Sequence, residues 1–144
     1  MQLFAMFGAL GLAPAALLYL MPGWRSYWTV IGTDGGGAHA ALISEDGAVE
    51  PARGGPSIEP LLRTGDGRLL GWADTSSART SLLEGYLPIP RVDWQFAELA
   101  LQVEAAARGT ADTAQLLLRY TVTNTSTARQ RPALVLALRP WQVN

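Results

Sequence analysis

The residues best suited by type and spacing to do chemistry are acids standing close to aromatic rings. Asp74 lies two residues from Trp72, Glu84 two residues from Tyr86, and Asp93 next to Trp94. Glycoside hydrolysis uses two carboxyl groups on opposite sides of a sugar, one donating a proton to the leaving oxygen and the other acting as base or nucleophile. A carboxylate beside an aromatic ring also suits plain sugar binding, because the ring stacks on the apolar face of the sugar while the carboxylate accepts from its hydroxyls. The same pairs are common at strand–loop boundaries in a tryptophan-rich sandwich. Closeness along the chain does not create the opposed geometry that hydrolysis needs. Trp72, Asp74, Glu84, Tyr86, Asp93 and Trp94 are therefore candidates for carbohydrate contact, and no catalytic residue is assigned.

Other chemistry finds little support. His39 is the single histidine, it falls within an expected strand beside alanines, and no nucleophile elbow accompanies it. Cysteine is absent, which removes disulfides and thiolate metal sites, and no ligand spacing suggests a metal or cofactor. Asp34-Gly35-Gly36-Gly37 lacks the Lys-Ser/Thr of a phosphate loop and the spacing of a dinucleotide fingerprint, so it reads as a turn. Asn124-Thr125-Ser126 matches a glycosylation sequon but reads as a turn in which Asn124 closes a strand. The formal net charge of −1 offers no field that would gather nucleic acid. Beyond Asp112 the only charges are Arg119, Arg129, Arg131 and Arg139, a solvated face or a partner patch.

The elements that would position these residues are strands. Residues 91–96 alternate Val92, Trp94 and Phe96 against Arg91, Asp93 and Gln95, and residues 99–104 alternate in the same way. Residues 114–124 alternate Leu116, Leu118, Tyr120 and Val122 with Gln115, Leu117, Arg119, Thr121 and Thr123. A polar connection follows, then an apolar run over residues 133–138, and the two runs read as an antiparallel pair joined by a loop. Upstream, residues 26–32, 38–44 and 57–63 read as strands, with hairpin turns at Asp46-Gly47 and Thr64-Gly65-Asp66-Gly67. Residues 74–79 read as irregular and 80–87 as a short strand or turn. Turn signals every ~8–12 residues, with no helical period after Trp24, predict an all-β antiparallel sandwich over residues 25–144.

Residues 1–24 carry no charge and are apolar apart from Gln2. Three readings stand side by side: a membrane anchor or uncleaved signal, a cleaved signal, and either a buried helical or irregular lead-in to the domain or the start of a fragment. Localisation follows the segment, extracytoplasmic or membrane-associated if it is a genuine anchor or signal and cytoplasmic otherwise. A small membrane-anchored domain with a structural or partner-binding role is accordingly the alternative to a carbohydrate-related module. The last strand runs into Trp141-Gln142-Val143-Asn144, and this end is expected to expose apolar surface around Trp141, as in a truncated sandwich.

Several stretches, taken together, resemble a known family. They are Tyr27-Trp28-Thr29-Val30-Ile31-Gly32 with Asp34-Gly35-Gly36; Leu42-Ile43-Ser44-Glu45-Asp46-Gly47-Ala48-Val49-Glu50; and Ser57-Ile58-Glu59-Pro60. Further along come Trp72-Ala73-Asp74, Leu82-Leu83-Glu84-Gly85-Tyr86-Leu87-Pro88-Ile89-Pro90, and Leu136-Ala137-Leu138-Arg139-Pro140-Trp141-Gln142-Val143-Asn144. The set resembles a region of large bacterial discoidin (coagulation factor 5/8 type) domain-containing proteins. There a mutarotase-like β-supersandwich precedes a six-hairpin, glycosidase-like α/α toroid. The resemblance spans about residues 26–144 and implies a β-sandwich module of a protein that binds or acts on carbohydrate. It also implies that the general acid and base lie in the helical domain, so no catalytic residue is carried over to this chain.

Overall fold

The computed structural model describes residues 28–33, 39–110 and 112–140. The apolar segment 1–24, the glycine turn at 35–37 and Trp141 lie outside the described residues. Among those described, no helix is long and apolar enough to cross a membrane.

Among the described residues, ten strands form two antiparallel sheets. They are β1 (Trp28–Ile31), β2 (Ala41–Ser44), β3 (Val49–Glu50), β4 (Ser57–Arg63), β5 (Leu69–Leu70), β6 (Ser77–Leu82), β7 (Pro90–Gln95), β8 (Leu99–Arg108), β9 (Gln115–Asn124) and β10 (Ala133–Arg139). One sheet runs β1-β2-β3-β4-β10, with β5 also paired to β4, and the other runs β6-β7-β8-β9. The all-β antiparallel sandwich is the architecture that the alternation predicts.

The period-two pattern becomes the packing. Along β7, β8 and the turn between them, Val92, Trp94, Phe96, Leu99, Leu101, Val103 and Ala105 point between the sheets and are buried. Ile31, Ala41, Ile43, Val49 and Leu62 meet them from the other sheet. Trp94 and Phe96 pack edge to face with ring centroids 6.0 Å apart, an arrangement that aligns the positive ring edge with the negative face. The tip of the β2–β3 hairpin closes onto this cluster. Gly47 (φ 75°) sits so close that an added Cβ would lie 3.4 Å from Val103 Cγ2 and 3.7 Å from Trp94 Cζ2. Pro60, which cannot donate to a ladder, lies in β4 between the residue paired with β3 and the residues paired with β5.

Three expectations are corrected. The segments 115–124 and 133–139 do not pair with each other: β9 runs beside β8 through ten residue pairs, from Leu99↔Asn124 to Arg108↔Gln115, whereas β10 runs beside β4. The connection between them changes sheets. It is tied to the 97–98 turn by Thr125 N–H donating to the Glu98 carbonyl (2.9 Å) and Gln130 Nε2 donating to Glu98 Oε2 (2.6 Å). Hairpin pairing would have left Leu116, Leu118, Tyr120 and Val122 without the core they now flank. The polar stretch 74–79 is not irregular throughout, because Ser77, Ala78 and Arg79 open strand β6 and pair with Gln95, Trp94 and Asp93. Ser, Arg and Thr suit an edge strand that faces water on both sides. His39 is exposed and precedes β2 instead of lying inside it.

Candidate functional site

Strand β6 organises the candidate residues. Trp72 and Asp74 form a 3-10 turn just before it, and Glu84 belongs to a second such turn, Leu83–Gly85, just after it. The first turn is held by Gly71 N–H donating to Asp74 Oδ2 (2.8 Å) and Thr75 Oγ1 donating to the Trp72 carbonyl (2.7 Å). Asp74 therefore spends one oxygen on its own loop, and Trp72 is 38 % exposed beside it. In the second turn Tyr86 is 71 % exposed and its hydroxyl donates to Glu84 Oε2 at 3.2 Å. Glu84 has φ 54°, the single positive value on a non-glycine residue among those described. That region is sterically costly for a glutamate.

These two acid–aromatic pairs do not converge. A six-residue strand separates them by roughly 17 Å at 3.3 Å per residue, well beyond the ~5–10 Å that two carboxyl groups need across a glycosidic bond. Asp93 lies between them, opposite Arg79 and on the outer face of the four-stranded sheet. Trp94, its neighbour in sequence, points the other way. It is 2 % exposed in the core and presents no ring face to a sugar.

Around Asp93 the structure assembles a polar surface. The register places Arg79, Asp93, Gln102 and Thr121 in one line across β6 to β9, and Ser77, Gln95, Ala100 and Thr123 in the next. Alternation sends all of these side chains outward, away from the core. Ala100 is the small member of its line and leaves a dip between Gln95 and Thr123. The result is an open trough of about 520 Å³ lined by these residues, within the range of small-molecule sites. Gln102 Nε2 donates to Asp93 Oδ1 at 2.7 Å, which orients the carboxylate. Donors from Arg79 and the amides, acceptors from Asp93 and the amides, and hydroxyls that serve as either match the mixed hydrogen-bonding of a polyhydroxylated ligand.

Sequence reasoning singled out Asp93 on this face and missed Arg79, Gln95, Gln102, Thr121 and Thr123. Alternation assigns each to an outer face, but only register makes them neighbours. It also missed Glu104, one line along from Asp93. This carboxylate is 4 % exposed and is bracketed by Arg91 and Arg119, with Arg91 Nη2 at 2.7 Å from Oε1 and Arg119 on Oε2. Burial by itself pushes its carboxyl up, and the hydrogen bonds and charges of the two guanidinium groups outweigh that, holding it below the usual carboxylate range. With both oxygens engaged by the protein, Glu104 joins β7, β8 and β9. Of the four arginines beyond Asp112, Arg119 is thus spent on Glu104 and Arg139 on Glu59, so these two do not act together as one patch.

Among the described residues, no group of three His, Cys, Asp or Glu side chains gathers as metal ligands would. Comparison with protein-family models, curated proteins and solved structures found no match to this chain.

Proposed function

We propose that this chain is a non-catalytic β-sandwich accessory module of a carbohydrate-active protein, and that carbohydrate lies along the trough on the outer face of β6 to β9. The observation that carries this reading is the trough itself, which lines up Arg79, Asp93, Gln95, Gln102, Thr121 and Thr123 around a floor at Ala100. Recognition there is by hydrogen bonds, since the ring of Trp94 is turned inward. Trp72 and Tyr86, exposed at the two ends of β6, are the rings available to stack on sugar residues that extend past the trough. The absence of two opposed carboxyl groups among these residues argues for holding a saccharide over cleaving it. The resemblance to the supersandwich of discoidin domain-containing proteins supports the same assignment. It supplies the partner, a glycosidase-like α/α toroid that would hold the general acid and base.

The test is binding of the intact chain to a panel of immobilised polysaccharides and oligosaccharides, alongside Asp93→Ala/Gln102→Ala and Trp72→Ala variants. Removing the two trough side chains is expected to weaken binding by about tenfold or more, since each hydrogen bond to a charged or polar partner contributes ~1 kcal/mol or above. A folded chain that binds no glycan on the panel, or binds equally well without Asp93 and Gln102, ends the proposal.

A further inference from the structure

We infer that the saccharide held in the trough, on the reading proposed above, is an acidic one, and that Arg79 selects it through a carboxylate or sulfate group. Arg79 stands directly opposite Asp93 across β6 and β7, on adjacent strands about 4.8 Å apart. Opposite charges in that position stabilise a sheet by pairing. These two do not pair. Among the described residues, ion pairs join Arg91 and Arg119 to Glu104 and Arg139 to Glu59, and none joins Arg79 to Asp93. The Asp93 carboxylate is held from its other side, where Gln102 Nε2 donates to Oδ1 at 2.7 Å. Arg79 thus lines the trough with its charge unanswered.

The adjoining line of residues carries the same sign. Ser81, Arg91, Glu104 and Arg119 lie side by side across β6 to β9, and the Arg119 side chain, 66 % exposed, shares Glu104 with Arg91. Over the two lines three guanidinium groups meet two carboxylates, a surplus of one positive charge on a chain whose formal net charge is −1. A local surplus of this kind draws anions to the face that carries it.

The chemistry of the two trough residues sets how an acidic sugar lies. Arg79 offers parallel N–H donors in a planar fork, which fits two oxygens of a carboxylate or of a sulfate ester. Hydrogen bonds between charged groups are roughly twice as strong as neutral ones, so the fork favours an anion over a hydroxyl. Asp93 accepts from hydroxyls. In a uronic acid the carboxylate borne on C5 lies across the pyranose ring from the C2 hydroxyl. One sugar residue therefore bridges Arg79 and Asp93 without bringing its own charge onto the aspartate.

The intact chain is to be titrated with polygalacturonate, the same polymer fully methyl-esterified, a sulfated galactan and a neutral galactan. Polygalacturonate is expected to bind about tenfold or more tighter than its ester, and added salt should erode the difference. A preference that extends to the sulfated over the neutral galactan supports the inference and adds the sulfate ester to the ligands read. A preference confined to polygalacturonate supports it and names the carboxylate. Arg79→Gln is expected to bring polygalacturonate down to the level of its ester, and Arg79→Lys, which keeps the charge without the fork, to retain part of the preference. Arg68→Gln removes an exposed arginine from the turn between β4 and β5, on the other sheet, and should leave the preference intact. Equal binding of acidic and neutral polymers overturns the inference and leaves the trough reading standing. A preference that survives Arg79→Gln, or falls as far with Arg68→Gln, overturns it too. A folded chain that binds no polymer of either charge ends the trough reading and this inference with it.

Discussion

Glu104 is a buried charge on which stability depends. Its carboxylate is buried between Arg91, whose side chain is 26 % exposed, and Arg119, which is 66 % exposed. Removing it as Glu104→Ala leaves the half-buried Arg91 without its partner. Because solvent screens the Arg119 side, the expected loss is about 1–3 kcal/mol, measured by denaturant unfolding. Arg91→Ala should cost more than Arg119→Ala for the same reason. The pH dependence has a definite sign. A carboxyl held below its ordinary value of 4.5 contributes stability that is complete above that value and is lost as pH falls through the lower folded value. Unfolding midpoints measured from pH 7 down to pH 3 should therefore fall more steeply at the acid end for the natural chain than for Glu104→Gln. Tyr120 makes the opposite case. Among the described residues its buried hydroxyl has no hydrogen-bond partner, and burial raises its phenol above the ordinary value of 10.0. Tyr120→Phe removes an unpaired polar group and is expected to be neutral or to stabilise by up to about 1 kcal/mol.

Among the elements, the β8–β9 ladder depends on one backbone position. Gly109 turns the chain with φ 104°, and an added Cβ would fall 2.4 Å from the Thr113 carbonyl oxygen. Gly109→Ala meets both a disfavoured conformation and backbone that cannot yield, so a loss of roughly 2 kcal/mol or more is expected in thermal or urea unfolding. Gly65, in the turn between β4 and β5, has open space around its missing Cβ and no such φ. Gly65→Ala should stay within about 0.5 kcal/mol of the natural chain. The contrast separates glycine needed for geometry from glycine that merely occupies a polar turn. The β9–β10 connection shows the same division of labour in a loop. Asn124 Oδ1 accepts from Ser126 N–H at 3.0 Å and Asn124 Nδ2 donates to the Ala128 carbonyl at 2.7 Å, which shapes the start of the crossing from one sheet to the other.

Across the whole molecule, stability should follow distance from the edges. β8 lies between β7 and β9, and its inward residues Leu99, Leu101, Val103 and Ala105 are fully buried. Its backbone groups can open only when the core opens. Native-state hydrogen exchange should therefore find the slowest amides in β7, β8 and the inner side of β9, with faster exchange in β1, β6 and β10. Protection spread evenly over all ten strands would contradict this layering. The trough and the leucines of β10 belong to different sheets, so the molecule keeps a polar surface apart from an apolar one.

What the sequence determined by itself was strand character and the two faces of each strand. Val92, Trp94 and Phe96 on one side and Arg91, Asp93 and Gln95 on the other follow from side chains that alternate every residue. The same alternation already separated Trp94 from Asp93, although their adjacency suggested a joint site. Tertiary structure decided which strands became neighbours. A period of two says which way a side chain points, but pairing depends on how two apolar faces fill the space between them, and that information is spread over residues far apart in the chain. β9 and β10 look like a hairpin locally, yet they part because each pairs with a different partner along its whole length, β9 along β8 and β10 along β4. For the same reason Arg79, Asp93, Gln102 and Thr121, drawn from four strands, become a single polar line only once the register of the folded sheet sets them side by side.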